Sequence, residues 1–523
     1  MATAEVQEFR PKANPWLVAS AVMLATFLEV LDTTIAAVSL GHIAGSLSAT
    51  YDQATWVLTT YLVANAIVLP CSGWFGARFG RKRFLLVCLF IFTAANLFCG
   101  LSASLPMLLM MRVIQGAGGG ALQPISQAVL MESFPKEQQG RAMGLYGLGV
   151  VVAPIIGPVL GGWITDNYTW RWIFYIKVPL GLLALWLIYK FVEDPPWVRN
   201  AKAGRPDTMG FGFMALWLGC QEIFLDKGQQ DDWLGSHFIT CMIVLAAIGL
   251  LVFVIRELTT DKPVVKLRIL GNRNFGFGSA LMGCVGALLY GMTTIVPIFL
   301  ETLLAYPAYQ SGLVMIPRGL GSFLAMPAVG KLTEKMDGRI LVAIGFAMFG
   351  WSTYALSRVN LDISPWSLFW PLFINGMAVA FLFVPLNVLA LGALPIGELS
   401  NATGIFNLMR NVGGSAGISA VATLLARRSQ VHQFEMVGNL SPLGGAFRND
   451  LSGLSRYLQA HSVGSAMDAT HKAAALLYGL LLKQSYLWAY VDIFVYTMLF
   501  CAVCMLFTFI LKNVKSTGRL VVH

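Results

Sequence analysis

Apolar runs long enough to cross a hydrocarbon core follow one another along almost the whole chain, separated by short polar stretches. A window of about 20 residues marks about fourteen of them as predicted transmembrane helices. In the first half they cover Trp16 to Val38, Ala54 to Phe75, Phe84 to Leu101, Pro106 to Phe134, Gly140 to Ile164 and Trp172 to Lys190. A pair follows, Met209 to Leu225 and Phe238 to Ile255. The second half adds Phe275 to Leu300, Gln310 to Leu332, Ile340 to Leu356, Ser367 to Leu391, Ala402 to Ala426 and Leu487 to Leu511. The pattern predicts an all-α integral membrane protein of two six-helix bundles with two inserted helices.

The polar stretches fix the threading. With the N-terminus in the cytoplasm, roughly 23 lysines and arginines fall on the inner side against about 9 outside. Short inner loops hold Arg78, Arg81, Lys82 and Arg83, then Arg199, Lys202 and Arg205, then Lys262, Lys266, Arg268 and Arg273. Both termini are therefore expected in the cytoplasm. The expected organisation is a tail over 1–15, a six-helix bundle over 16–190, a linker with the inserted pair over 191–256, and a cytoplasmic linker over 257–274. A second bundle over 275–511 and a tail over 512–523 complete it. The polar N-terminal residues lead into an apolar run too long for a cleavable signal. One outer loop, Arg427 to Tyr486, is far longer than the others, and its helical periodicity from Leu451 to Leu482 predicts one or two amphipathic helices that cap the bundle or dock a partner.

Composition removes the soluble alternatives. The chain is 57% hydrophobic and 12% charged, against about 25% charged in soluble domains. Its net charge of +10 is spread between apolar runs rather than gathered in a tail, which speaks for membrane topology and against nucleic acid. All eight cysteines lie in or beside apolar segments, where Cys acts as a small hydrophobe. Cys501 and Cys504 have CxxC spacing without a βαβ context, so no redox, disulfide or metal role follows. No P-loop, HExxH or GxSxG pattern survives, which predicts no enzyme and no cofactor; energy would come from an ion gradient.

Candidate chemistry lies where the apolar pattern is broken. Glu29 and Asp32 sit three residues apart on one face of the first span, and an ionisable group at bilayer depth costs about 2.5 kcal/mol or more on insertion scales. Asp32 and Arg112, each about six residues from the outer end of its span, come to similar depth at about 1.5 Å rise per residue. A movement that changes their separation would load and unload a proton, with Asp32 as carrier, Arg112 as tuner and Glu29 as helper or second carrier. A permanent structural ion pair is the alternative. Gln115, Glu222, Arg318, Asn375, Asn387, Asn407 and Arg410 are further polar groups in spans and candidates for a substrate cavity. Gly116 to Gly120 mimics a dinucleotide motif but follows no strand, so its glycines are assigned to close helix contact. In the fifth span Ala153, Gly157 and Gly161 form a flat strip, and Pro154 and Pro158 remove backbone donors, which suggests a bendable gate.

Several ordered motifs resemble one family. The run Gly73 to Arg83, with Gly73, Gly80, Arg81 and Lys82 in place, resembles the first signature of the major facilitator superfamily, and Gly330 to Arg339 echoes it weakly in the second half. Arg112 to Gly120 resembles the fourth-span motif, and Ala153 to Gly162, including Gly161 and Gly162, the fifth-span motif of exporters. Leu31 to Ile35, Trp170 to Gly181 and Leu225 to Trp233 resemble the fourteen-span drug:proton antiporters of the EmrB/QacA type. Two positions depart from the pattern. Ala77 replaces the usual Asp, leaving Arg78, Arg81 and Lys82 to pair with helix ends or acidic lipid, and Lys177 replaces the expected Asn. Lys177 is expected to snorkel to the outer interface near Arg171.

The resemblance implies a major facilitator fold and a proton-coupled multidrug efflux antiporter, exporting amphipathic compounds by alternating access between two bundles. It further implies an inner-membrane pump of a tripartite system, with a periplasmic adaptor and an outer-membrane channel as partners. A narrow-specificity exporter of a siderophore, fatty acid or metabolite would carry the same motifs, and a non-transporting sensor or scaffold is the remote alternative.

Overall fold

The computed structural model describes residues 13–135, 138–194, 207–260, 263–392, 394–395, 398–440, 444–461 and 466–512. Arg199, Lys202, Arg205 and Lys262, together with most of both tails, lie outside the described residues. Eighteen α-helices and no strand are found among the described residues. In the first half these are α1 (Pro15–Ala37), α2 (Leu40–Ser46), α3 (Tyr51–Phe79), α4 (Arg81–Gly100), α5 (Leu105–Gly119), α6 (Leu122–Ser133), α7 (Gln139–Asn167), α8 (Trp172–Tyr175) and α9 (Lys177–Phe191). The inserted pair is α10 (Thr208–Lys227) and α11 (His237–Thr259). The second half contains α12 (Arg273–Ile298), α13 (Ala308–Lys335), α14 (Gly338–Leu356), α15 (Pro365–Leu391), α16 (Leu399–Val437), α17 (Gly445–His461) and α18 (Ala466–Thr508).

Local chemistry starts these helices where the hydropathy pattern does. Asn14 accepts from the Trp16 amide at the head of α1, with Pro15 in the first turn where no amide partner is needed. Thr50 and Gln53 form a reciprocal capping box on α3. Asp207 caps α10 by accepting from the Gly210 amide at 3.1 Å, and Arg256 of α11 donates to it at 2.8 Å. That Arg256 bond holds the Asp207 carboxyl below its usual range and ties the inserted pair together.

Thirteen helical stretches among the described residues are long and apolar enough to cross a membrane. Helix α16 is the fourteenth predicted span; Asn407, Arg410 and Asn411 lower its hydropathy, but it packs among the others through α12 and α18. The fourth predicted span is two helices, α5 and α6, interrupted at Gly120 and Ala121. Glycines explain how α5 packs. A side chain at Gly116 would lie 2.3 Å from the Tyr61 carbonyl, and one at Gly120 would lie 2.4 Å from the Asn65 carbonyl, both on α3. A Cβ at Gly118 would lie 2.8 Å from the Phe92 amide nitrogen of α4. The close-contact reading of this glycine run therefore holds.

Two seams join the halves. Helix α7 runs along α13, with a Cβ at Gly140 only 2.6 Å from the Gly330 carbonyl and one at Gly312 2.6 Å from Val159. Helix α16 packs on α3, where Gly404 meets the Pro70 carbonyl at 3.3 Å, and α10 packs on both of those helices.

The long outer loop differs from expectation. Helix α16 continues beyond Ala426 to Val437, and α18 begins about twenty residues before Leu487, so the loop is largely the extension of two spans. Among the described residues of this region, helix α17 is the one separate amphipathic helix, and it packs on α18. Arg428 and His432 of α16 both reach Asp492 of α18, at 2.6 and 2.8 Å, and join the arms at their base.

Candidate functional site

Asp32 lies fully buried on α1 between two cations. Arg112 of α5 and Lys177, the first residue of α9, both pair with its carboxylate, and Gln115 Nε2 donates to it at 2.8 Å. Arg112 Nε donates to the Val57 carbonyl of α3 at 2.8 Å, Arg112 Nη1 donates to Gln115 Oε1 at 2.8 Å, and the guanidinium lies 4.3 Å from the centre of the Tyr61 ring. Three helices, α1, α5 and α9, thus meet at one carboxylate, and α3 holds the arginine beside it. The equal-depth argument from the sequence brings Asp32 and Arg112 into direct contact, and Gln115, expected in a cavity, serves this cluster.

Lys177 corrects the sequence reading. It does not snorkel; it is 1% exposed and points inward to Asp32. The reason is local packing: Gly181, one turn further, brings α9 so close to α4 that a Cβ there would lie 2.3 Å from Thr93 Oγ1. Arg171 behaves differently, donating to the Ser102 carbonyl at 3.1 Å and stacking on Trp170.

Glu29, one turn from Asp32 on the same helix, belongs to a second network. Asn65 Nδ2 donates to Glu29 Oε1 at 3.0 Å, and Gln123 of α6 donates to Oε2. Arg410 of α16 then donates to Gln123 Oε1, across the line between the halves. One turn along α6, Gln127 donates to Asn387 and accepts from Asn407 Nδ2 at 2.6 Å. Asn387, Asn407 and Arg410 therefore meet the first half through Gln123 and Gln127, two residues the sequence reading missed. Their signal is faint: a pair of amides at i and i+4 in an apolar span.

The remaining cavity candidates separate. Arg318 turns to α12, donating to Thr293 Oγ1 at 2.8 Å and to the Leu289 carbonyl at 3.2 Å. Asn375 is fully buried on α15, without a hydrogen-bond partner among the described residues. Glu222 lies on the inserted helix α10, where Ser415 donates to it.

At the turn from α3 to α4, Gly80 has φ +85°, a conformation that favours glycine. Arg81 is buried and pairs with Glu132 at the end of α6, and the Lys82 amide donates to Asp194 Oδ1 at 2.8 Å. The Glu132 partner replaces the helix end or lipid expected for Arg81, while the Lys82 ammonium lies 5.3 Å from the centre of the Tyr189 ring. Asp194 and Glu132 supply to this corner the carboxylates that Ala77 does not. Gly73 lies within α3, two turns before Gly80.

On α7, Pro154 and Pro158 are inside the helix, and the strip beside them faces α1. A Cβ at Gly157 would sit 2.1 Å from Thr34 Oγ1, and one at Gly161 2.5 Å from Val38. Gly162 faces open space and takes no part in the contact.

Comparison with known proteins matches the family model described as Major Facilitator Superfamily to residues 22–418. The multidrug export protein EmrB of Haemophilus influenzae is 37% identical over 433 residues, covering 82% of this chain and 83% of that protein. EmrB of Escherichia coli (strain K12) is 34% identical over 459 residues, covering 86% and 89%. The fatty acid resistance protein FarB of Neisseria gonorrhoeae is 34% identical over 435 residues, covering 83% and 85%. Among solved structures, the proton:xylose symporter XylE has a TM-score of 0.54 at 15% identity, covering 93% of this chain and 94% of that one, and shares the fold.

Proposed function

The chain belongs to the major facilitator superfamily and is a multi-pass membrane efflux transporter, not an enzyme, and from that premise we propose that it is a proton-coupled multidrug antiporter. The observation that carries the coupling is the burial of Asp32 between Arg112 and Lys177 inside the first span. Two adjacent cations favour the ionised carboxylate. A shift of α1 against α5 or α9 inside the first half, driven by the rocking of the two halves, leaves a lone carboxylate in a low dielectric, where its charge is costly and it takes up a proton. Asp32 is thus the carrier and Arg112 its tuner, with Lys177 as a second tuner. Glu29, tied through Gln123 to Arg410 on the other half, relays the movement between halves.

Substrates under this reading are amphipathic small molecules that reach the seam between the halves from the lipid bilayer. The motion is gated at the α3–α4 turn and along the glycine strip of α7. On this reading the protein works in the inner membrane as the pump of a tripartite system. The extended arms of α16 and α18, with Phe434 and Met467 exposed, offer a periplasmic adaptor a surface, and an outer-membrane channel would complete the path.

The test is substrate-induced proton movement in proteoliposomes with a cationic dye, comparing wild type with Asp32→Asn and Glu29→Gln. Release in wild type that Asp32→Asn abolishes and Glu29→Gln only weakens supports the assignment. Equal behaviour of all three overturns it.

A narrower reading, export of fatty acids or similar anionic amphiphiles, is favoured by Arg318 and Arg410, two buried cations in the second half, and by likeness to the fatty acid resistance protein. A deletion strain hypersensitive to long-chain fatty acids alone, with unchanged sensitivity to a drug panel, would select it.

A further inference from the structure

Inserted helix α10 has no obvious place in a scheme of two rocking bundles, yet it carries three ionisable residues in its last two turns, Glu222 and Lys227 buried and Asp226 exposed. Their partners divide between the halves. Thr59 of α3 donates to Asp226, and Lys227 donates to Thr55 of α3 and lies 5.7 Å from the Trp56 ring. Gly219, one turn inward of Glu222, rests on Val63 and Ile67 of the same helix. Glu222 turns the other way. Its two oxygens lie 2.9 and 3.0 Å from Ser415 Oγ of α16. Helix α10 is therefore tied to the first half by Asp226 and Lys227, and to the second half by one carboxylate–serine contact.

That carboxylate differs in compensation from the other acids of the membrane core. Asp32 has two cations, and Glu29 has two amides with Arg410 behind them. Glu222 is 7% exposed, and among the described residues it forms no ion pair. The charge that acts on it is Asp226, one turn outward and of like sign. From the other packed elements, α3 presents Thr55 and Thr59, and α11 carries its titratable groups near its ends, His237 and the Cys241 thiol at one and Arg256 and Glu257 at the other. Helix α16 presents Ser415, with Arg410 turned to Gln123. A single hydroxyl cannot compensate a buried carboxylate; the neutral acid can both accept from Ser415 and donate a hydrogen bond.

We propose that Glu222 is a second proton-exchange site, which holds a proton while α10 bridges the seam between α3 and α16 and releases it when the seam opens. Opening must break the Glu222–Ser415 contact or the Asp226–Thr59 contact, because α3 and α16 belong to different halves. With Ser415 withdrawn and water admitted, the carboxyl ionises, and closing requires the proton again. The inserted pair thereby becomes part of the coupling machinery. This proposal rests on the proton-coupled reading above.

The test has two readouts on the full chain in lipid. Infrared difference spectra across a pH titration are expected to show a protonated-carboxyl band that is missing in Glu222→Gln and displaced in frequency in Ser415→Ala. In proteoliposomes loaded with the cationic dye, Glu222→Gln is expected to release fewer protons per substrate than wild type, and Glu222→Asp to restore the release. Folding is controlled by the elution profile and dye binding of each variant. Absence of an assignable band overturns the proposal. A band present with proton release unchanged in Glu222→Gln also overturns it, while leaving coupling through Asp32 intact. No substrate-driven release even in wild type removes the proton-coupled reading itself and this exchange role with it.

Discussion

At the scale of single residues, the Asp32 cluster contains one negative and two positive side chains, so removing either sign has unequal effects. Asp32→Asn leaves Arg112 and Lys177 facing each other without an anion, and breaking a buried pair by removing one partner costs about 3–5 kcal/mol. Lys177→Met leaves the Asp32–Arg112 pair, removes the excess cation and keeps the volume of the stem. Thermal unfolding in detergent is therefore expected to show a large drop for Asp32→Asn, a small change for Lys177→Met and partial recovery in the double variant. A drop in Lys177→Met equal to that in Asp32→Asn would mean that the lysine, not the arginine, holds the carboxylate. This ranking also guards the transport test, because the double variant separates a lost carrier from a damaged bundle. Asp32 and Arg112 were legible in the sequence because helix rise converts position into depth. Lys177 was not: a lysine at the start of a span looks like an interfacial anchor until the close approach at Gly181 turns it inward.

At the scale of elements, glycine spacing set the expectations that held best. Ala153, Gly157 and Gly161 face α1 as the small-residue strip requires, and Gly116 and Gly120 receive α3 one turn apart. Substitution should follow the space at each position. Gly157→Val is expected to lower stability by about 1–3 kcal/mol, the usual cost of overpacking, and to stop transport, because its Cβ would overlap Thr34. Gly162→Ala, which meets nothing within 4 Å, is expected to transport like wild type. Dye efflux from cells expressing each variant at matched levels measures both, and a defect in Gly162→Ala would show that the motif acts otherwise than by contact with α1. Hydropathy could not show the break between α5 and α6, since Gly120 and Ala121 are apolar and only the lost hydrogen-bond ladder marks the interruption. Nor could it show α16 and α18 extending beyond the apolar core, because a polar helix continuing a span differs in composition, not in periodicity, from the span itself.

At the scale of the whole molecule, the weak internal echo of sequence falls on equivalent turns, α3 to α4 and α13 to α14, between the second and third spans of each half. The two turns solve the same problem differently. Asp337 caps α14 directly, accepting from the Arg339 amide at 2.9 Å, whereas Gly80 has no side chain and the Lys82 amide is satisfied by Asp194 from the end of α9. No local pattern around Ala77 could have revealed that distant partner, and for the same reason the glutamines that bridge the halves went unread. The seam between α7 and α13 then decides whether the halves rock as bodies. Arg141 Nε of α7 lies 3.0 Å from Glu334 Oε1 of α13, beside the Gly140–Gly330 crossing and at the ends that the threading places toward the cytoplasm. Half-exposed and salt-screened, this pair contributes about 0–1 kcal/mol, too little to lock the molecule by itself. It marks instead where the two bodies must separate for the inner side to open. Arg141→Cys with Glu334→Cys, joined by a short disulfide-linked bifunctional reagent, is therefore expected to bring dye efflux to background and to recover it on reduction. The pair Asp207→Cys with Arg256→Cys, joined in the same way within the inserted pair, is expected to leave efflux unchanged, since α10 and α11 move together. Efflux that persists through the Arg141–Glu334 link would show that access alternates by local helix movement within one half rather than by rocking across this seam.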